Sequence, residues 1–147
     1  MELRPTSKPA PGVPHLLEKD YQVRVITFAE NCGWEVFHHG DSRKQVRPGV
    51  MVGDIQARGF PDLVLVRDRV LYRELKQDGA YLEPWQRYWA ERLEAAGCDY
   101  DLWRPADWDT IAHPLLESGR LEWLDYLARH PDLVRPLEAR FLQSRRR

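Results

Sequence analysis

The 147-residue sequence lacks any apolar run long enough to cross a membrane, which takes roughly 18 or more residues. Its N-terminus lacks the apolar core of a secretory signal. It has only two cysteines, Cys32 and Cys98, with no C-x-x-C pair and no histidine at ligand spacing. Neither a disulfide framework nor a zinc site is predicted, and we expect a soluble cytoplasmic protein with both cysteines in its core.

The sequence also lacks an excess of charge of one sign. Lys and Arg number 22 and Asp and Glu number 23, so the formal net charge of -1 excludes a uniformly basic surface. The hydrophobic share of 43% predicts a packed core and argues against wholesale disorder. Acidic residues outnumber basic ones only between residues 61 and 112, so a cation site is expected in that segment.

The chain is predicted to form one domain, since domains most often hold about 100–150 residues. Residues 1–15 are proline-rich and are expected to form a flexible leader. Residues 16–112 carry the helix and strand patterns of the domain, and residues 113–147 are expected to be a helical extension. This extension is rich in leucine and closes on three arginines.

The predicted order of elements is helix, strand, hairpin, helix, strand, helix. Such an order indicates an α/β fold with a mixed sheet and helices on both faces. Roughly twenty residues after the strand Trp34–His38 are punctuated by glycine and proline and are expected to form a long loop. Pro84 suits the first turn of the second helix. The predicted buried stripe of that helix comprises Trp85, Tyr88, Trp89, Arg92, Leu93 and Ala96. Core packing is also the expected use of Trp103 and Trp108.

Two apolar runs, residues 62–66 and 70–76, predict a hairpin. Pairing about its midpoint would bring Asp62 opposite Glu74, and strand alternation would put Lys76 on the same face as Glu74. Opposed carboxylates destabilise a sheet, and Mg²⁺ would relieve this because it binds carboxylates together with water and phosphate. Asp62 and Glu74 are therefore candidate metal ligands, and Lys76 is a candidate to hold the attacking water. The alternative is a surface salt bridge.

These residues resemble a known nuclease motif. Pro61-Asp62 followed by Glu74-Leu75-Lys76 resembles the PD-(D/E)XK motif. The fuller run 59–63 with Gln86 and Gly97 is similar to the VRR-NUC branch of that superfamily, over roughly residues 16–111. The resemblance implies a restriction-endonuclease-like α/β/α core of order α-β-β-β-α-β. It also implies a metal-dependent phosphodiesterase in which Asp62, Glu74 and Lys76 are catalytic.

The same resemblance implies roles for two helix residues. Glu18, at the start of the first helix, would complete the metal site, and the alternative is an acid that interacts with the helix dipole. Gln86 falls where the family has a glutamine that supports the site and touches DNA, and the alternative is an ordinary surface residue. Four basic residues in the long loop before the strand that carries Asp62 are candidate phosphate contacts, or else a solvated charge run. They are Arg43, Lys44, Arg47 and Arg58.

Together these features predict a Mg²⁺-dependent DNA endonuclease, with Mn²⁺ as a substitute metal, that selects branched DNA such as a Holliday junction. Two alternatives stay open: a nicking or end-processing exonuclease of a phage or mobile element, and an inactive DNA-binding module of the same fold. A homodimer is expected through the tail from Pro114, and no membrane partner is expected.

Overall fold

The computed structural model describes residues 18–38, 44–47, 50–52 and 58–133. The expected leader and the three C-terminal arginines lie outside these residues. The helices are α1 (Glu18–Asn31), α2 (Pro84–Ala95), α3 (His113–Glu117) and α4 (Arg120–Arg129). The strands are β1 (Glu35–His38), β2 (Lys44–Arg47), β3 (Val50–Val52), β4 (Leu63–Val66), β5 (Val70–Leu75) and β6 (Asp99–Trp103). None of the helices in these four segments is long and apolar enough to cross a membrane.

A four-stranded mixed sheet forms the centre of the fold, in the order β1-β4-β5-β6. The first three strands are antiparallel, and β6 runs parallel to β5 after the crossover through α2. This arrangement confirms the predicted α/β class and the mixed sheet. The expected long loop is wrong in part, because β2 and β3 pair there as a separate hairpin. The dipeptide Pro48-Gly49 between two short β-prone runs is the turn signal that the prediction passed over.

The hairpin of β4 and β5 has the predicted register. Leu63 pairs with Arg73, Val64 with Tyr72, Leu65 with Leu71 and Val66 with Val70. Both strands are central in the sheet, as their apolar runs indicated. The next pair outward along this ladder is Asp62 with Glu74.

The two faces of the sheet are covered by different helices. On one face, Tyr21, Val25 and Ala29 of α1 pack in one cluster with the leucines of β4 and β5. On the other face, Ala90 and Leu93 of α2 pack with Tyr72 and Tyr100. Successive strand residues point to opposite faces, so odd-numbered residues of β5 face α1 and even-numbered residues face α2.

The predicted buried stripe of α2 is correct at Leu93 and wrong at Trp85, Tyr88, Arg92 and Ala96. Ala90 and Leu93 are the buried residues of this helix. Trp85 and Tyr88 are 44% and 45% exposed, and Arg92 and Ala96 are exposed as well. Ala90 lies on the side of α2 that packs on the sheet, and Trp85 and Tyr88 lie about 140° and 160° from it around the helix axis. Trp103 and Trp108 are buried as predicted.

The segment after β6 is not one continuous helix. A 3-10 turn at Pro105–Asp107 leads into a π-helical turn at Trp108–Ala112 and then into α3, whose Leu116 is fully buried in the core. Gly119, with a φ of 78°, separates α3 from α4. The buried guanidinium of Arg67 holds this segment, because it donates to the carbonyl oxygens of Cys32, Leu116 and Ser118.

Gly59 fixes the distance between α2 and the segment that leads to Asp62. Its φ is 78°, and a Cβ at this position would lie 2.3 Å from the carbonyl carbon of Trp85 and 2.6 Å from the backbone nitrogen of Gln86. Only glycine permits this contact. The backbone at Gly59 therefore packs directly on the backbone of the first turn of α2.

We expect Gly59→Ala to destabilise the protein more than Gly79→Ala does. Gly79 has a similar φ of 82°, but a Cβ there would meet nothing within 4 Å among the described residues. Gly79→Ala should therefore lower the free energy of unfolding by about 1–2 kcal/mol, the cost of the left-handed backbone. Gly59→Ala should cost about 1–3 kcal/mol more because of overpacking. Urea denaturation measures both, and equal losses would contradict the proposed close contact.

Candidate active site

Asp62 and Glu74 meet where β4 and β5 begin to separate from their regular pairing. The backbone N–H of Asp62 donates to Oε2 of Glu74 at 3.3 Å, and the backbone N–H of Leu75 donates to Oδ2 of Asp62 at 2.9 Å. Each carboxylate thus accepts a hydrogen bond from the opposite strand. Glu74 is buried, with 2% of its surface exposed, whereas Asp62 is half-buried. The structure brings together the two acids that the register predicted.

Gln86 joins this pair from α2. Its Nε2 donates to Oε1 of Glu74 at 2.8 Å, and its Oε1 accepts from the backbone N–H of Glu83 at 2.9 Å. The amide therefore links the first turn of α2 to the buried carboxylate of β5. A buried carboxylate is costly without donors, and Gln86 and Asp62 supply one each.

Lys76 follows directly after β5. Its backbone N–H donates to the carbonyl oxygen of Trp103 at 3.0 Å, which completes the pairing of Leu75 with Trp103 at the end of the parallel ladder. The alternation of the strand predicts that Lys76 lies on the same side of the sheet as Glu74. Its side chain is half-buried.

The start of α1 lies at the same end of the sheet. The hydroxyl of Tyr21 donates to the carbonyl oxygen of Arg104 at 2.9 Å, immediately after β6 ends. The guanidinium of Arg104 in turn donates to the carbonyl oxygen of Ala80, in the connection that follows Lys76. Glu18 is the first residue of α1 and therefore begins at this end, but its side chain lies outside the described residues.

The predicted phosphate contacts are described only in part. Arg58 is exposed, and its carbonyl oxygen accepts a hydrogen bond from Nε1 of Trp89 at 3.0 Å. Lys44 and Arg47 are the first and last residues of β2, and their side chains lie outside the described residues, as does the whole of Arg43. Arg58 is thus the member of this group that can be located beside α2.

Tyr100, which the sequence prediction did not include, interacts electrostatically with both acids. It is buried on the α2 face of β6, and its hydroxyl has no hydrogen-bond partner among the described residues. Burial raises the pKa of Tyr100, and the negative charge of Glu74 is the next largest cause. The charge of Asp62 acts in the same direction, so both acids act electrostatically on this phenol. Tyr100 has an even-numbered position in β6 and therefore lies on the same face as Glu74. This could be inferred from the sequence only once the parallel pairing of β6 with β5 was known.

The donor set suits Mg²⁺ better than zinc. Structural zinc sites need about four protein ligands of the His and Cys type. The described residues hold no cluster of three or more His, Cys, Asp or Glu residues with metal-binding geometry. Mg²⁺ instead takes one or two carboxylates and keeps water and substrate phosphate as its other ligands. Asp62 and Glu74 fit that pattern, since both are hard oxygen donors and Asp62 is open to solvent.

Comparisons with known proteins give a partial likeness. No protein-family model and no curated protein matches this chain. A solved structure described as "VRR_NUC domain protein" is similar, with a TM-score of 0.47 and 20% sequence identity. The match covers 77% of this chain and 92% of that one.

Gln86→Ala is expected to destabilise the fold, because it leaves Glu74 with one donor fewer in a buried environment. The free energy of unfolding should fall by about 1–3 kcal/mol. Arg87→Ala, at the adjacent exposed position of α2, should change it by less than about 0.5 kcal/mol. Urea denaturation of the two variants provides the comparison. Equal stabilities would mean that the bond from Gln86 to Glu74 contributes nothing.

Proposed function

We propose that this protein is a Mg²⁺-dependent nuclease that hydrolyses phosphodiester bonds in DNA. Asp62 and Glu74 would hold the metal, and Lys76 would act on the attacking water. The observation that carries the proposal is the reciprocal pair of hydrogen bonds between these acids and the opposite strand. Two opposed acids at the ends of apolar central strands lower the stability of the sheet, but together they can bind a metal ion.

The chemistry follows from the roles of the individual residues. Bound Mg²⁺ would supply positive charge to a substrate phosphate and lower the pKa of a coordinated water. Asp62 and Glu74 keep fixed orientations because backbone N–H groups and the Gln86 amide bind them. Lys76 would hold the water and stabilise the negative charge that develops on the phosphate.

Further residues complete the proposal. Glu18 would add a third carboxylate from the start of α1. Arg58, Arg43, Lys44 and Arg47 would contact the phosphates of the DNA backbone, which supply much of the affinity in such complexes. Mn²⁺ would substitute for Mg²⁺, since both accept carboxylate and water ligands.

A more specific proposal concerns the kind of DNA that the nuclease cleaves. We propose an endonuclease that acts on branched or junction DNA, with two copies of the chain paired through the tail from Pro114. The alternatives are a nicking or end-processing exonuclease and a DNA-binding module of the same fold without activity. The acids and Lys76 favour an active enzyme over the last of these.

Metal binding is expected to stabilise the protein through the two acids. At a Mg²⁺ concentration about ten times Kd, the Tm should rise by roughly 3–6 °C. Asp62→Asn should abolish this rise in Tm, because the amide carries no negative charge to bind Mg²⁺. The amide oxygen can still accept the hydrogen bond from the backbone N–H of Leu75, so the local structure is kept. Glu122→Gln, an exposed acid of α4, should leave the rise unchanged. A rise that persists in Asp62→Asn would place the metal elsewhere.

Cleavage is tested with labelled duplex, flapped and four-way-junction DNA in Mg²⁺ or EDTA. We expect wild-type protein to cut in Mg²⁺ alone, with Glu74→Gln slower by about a thousandfold or more. Lys76→Met should be slower by about 10²–10³-fold, because the water loses its positioning charge. Internal product lengths support an endonuclease, and single-nucleotide steps support an exonuclease.

Two results would contradict this proposal. Equal cleavage by wild type and Glu74→Gln would mean that the activity does not come from this site. Tight DNA binding without cleavage in either metal would leave the inactive binding module as the function.

A further inference from the structure

The exposed face of α2 carries an aromatic stripe that the proposed chemistry does not use. We call Trp85, Tyr88 and Arg92 the Trp85 stripe, since their i, i+3, i+7 spacing places them along one side of the helix. Trp85 is 44% exposed and Tyr88 is 45% exposed. The guanidinium of Arg92 lies 5.7 Å from the centre of the Tyr88 ring.

A series of edge-to-face aromatic contacts extends from the Trp85 stripe toward the candidate active site. The centroids of Trp85 and Tyr88 are 5.8 Å apart, and those of Tyr88 and Trp89 are 6.0 Å apart. Trp89 reaches Phe60 at 5.1 Å. Phe60 lies two residues before Asp62, so an unbroken line of aromatic contacts leads from the exposed stripe to the acid.

The stripe is held rigidly beside the acids. The backbone of Trp85 packs on Gly59, and the indole of Trp89 is hydrogen-bonded to the carbonyl oxygen of Arg58. Gln86, the residue after Trp85, donates to Glu74. A ligand on Trp85 would therefore contact the residue that precedes Gln86, and Gln86 is hydrogen-bonded to Glu74, a proposed metal ligand.

The composition of the stripe favours a flat, negatively charged ligand. It holds two aromatic rings and a guanidinium, and Arg58 is exposed at its base. Around the helix axis, the acids Glu91 and Glu94 lie about 60° and 120° from Tyr88, which is the member of the stripe nearest to them. The stripe contains no aliphatic residue, unlike the exposed face of α4, where Leu121 and Leu124 lie. Three side chains also cover much less than the roughly 800 Å² that each partner contributes to a stable protein interface.

We propose that the Trp85 stripe binds unpaired bases of the DNA substrate next to the phosphate that is cut. An unpaired base stacks on Trp85, whose ring stands at 78° to that of Tyr88, and Arg92 and Arg58 contact the adjoining phosphates. Stacking needs a base whose face is free, so a flap, gap or opened junction binds here and a continuous duplex does not. This inference rests on the proposed nuclease function and specifies which DNA the site accepts.

The test measures binding in EDTA, where no metal-dependent cleavage occurs. The probes are a blunt duplex and the same duplex with a single-stranded flap that carries 2-aminopurine. Trp85→Ala is expected to weaken binding of the flapped DNA by about tenfold or more and to leave the blunt duplex within about twofold. Quenching of 2-aminopurine by the wild type should be lost in the same variant.

Two further variants make the result specific. Trp85→Phe keeps an aromatic face and should retain most of the affinity and the quenching. Tyr126→Ala removes an exposed aromatic residue of α4, near the opposite end of β4 and β5, and should change neither. Equal weakening of both DNAs by Trp85→Ala, an equal effect of Tyr126→Ala, or a change of oligomeric state in Trp85→Ala would overturn the proposal.

Failure of this inference is distinguishable from failure of the proposed nuclease function. Unchanged binding and cleavage of flapped DNA by Trp85→Ala overturn the stripe alone. Loss of flap binding in Trp85→Ala, together with no cleavage by wild type in any divalent metal, overturns the nuclease function alone.

Discussion

The pairing register of β4 and β5 is the constraint on which the candidate site depends. A slip of one residue would turn Glu74 toward α1 and bring Arg73 or Leu75 to its place. The register is held by apolar burial, since Leu63, Leu65 and Leu71 are fully buried on the α1 face. Burying a leucine contributes about 2 kcal/mol, which exceeds the cost of opposing two carboxylates on the other face. The hydrophobic core thus decides where the acids lie.

The two faces of the sheet differ in the side chains that they carry. The α1 face is closely packed with leucines and tryptophans, whereas the α2 face carries Glu74, Gln86 and Tyr100 among smaller apolar contacts. The buried carboxylate of Glu74 and the buried hydroxyl of Tyr100, which has no hydrogen-bond partner among the described residues, both cost stability. The α1 face also holds a buried charge, Arg73, but its guanidinium is paired with Asp99. The acids on the α2 face are consistent with a site kept for chemistry.

Glycine and small residues set the position of α2, and α2 in turn sets the surface beside the acids. Gly59 admits the backbone of Trp85, and Ala90 admits the helix to the sheet. Trp85 and Tyr88 lie on the side of α2 away from the buried Ala90, and their rings therefore remain exposed. The helix that places Gln86 on Glu74 thus also carries Trp85 on its exposed side.

The sequence by itself determined the order of the main elements, the hairpin of β4 and β5 and its register, because apolar alternation and a short turn leave one pairing that buries every leucine. The likeness to a family motif also predicted a supporting role for Gln86, and the amide of this residue is hydrogen-bonded to Glu74. The sequence prediction passed over the short hairpin of β2 and β3, although Pro48-Gly49 was a local signal for it. It also missed the outward rotation of Trp85 and Tyr88 and the electrostatic effect of Glu74 on Tyr100. The last two features depend on how α2 packs on the sheet and on the pairing of β5 with β6, which are contacts between residues distant in the chain and therefore decided only by the tertiary structure.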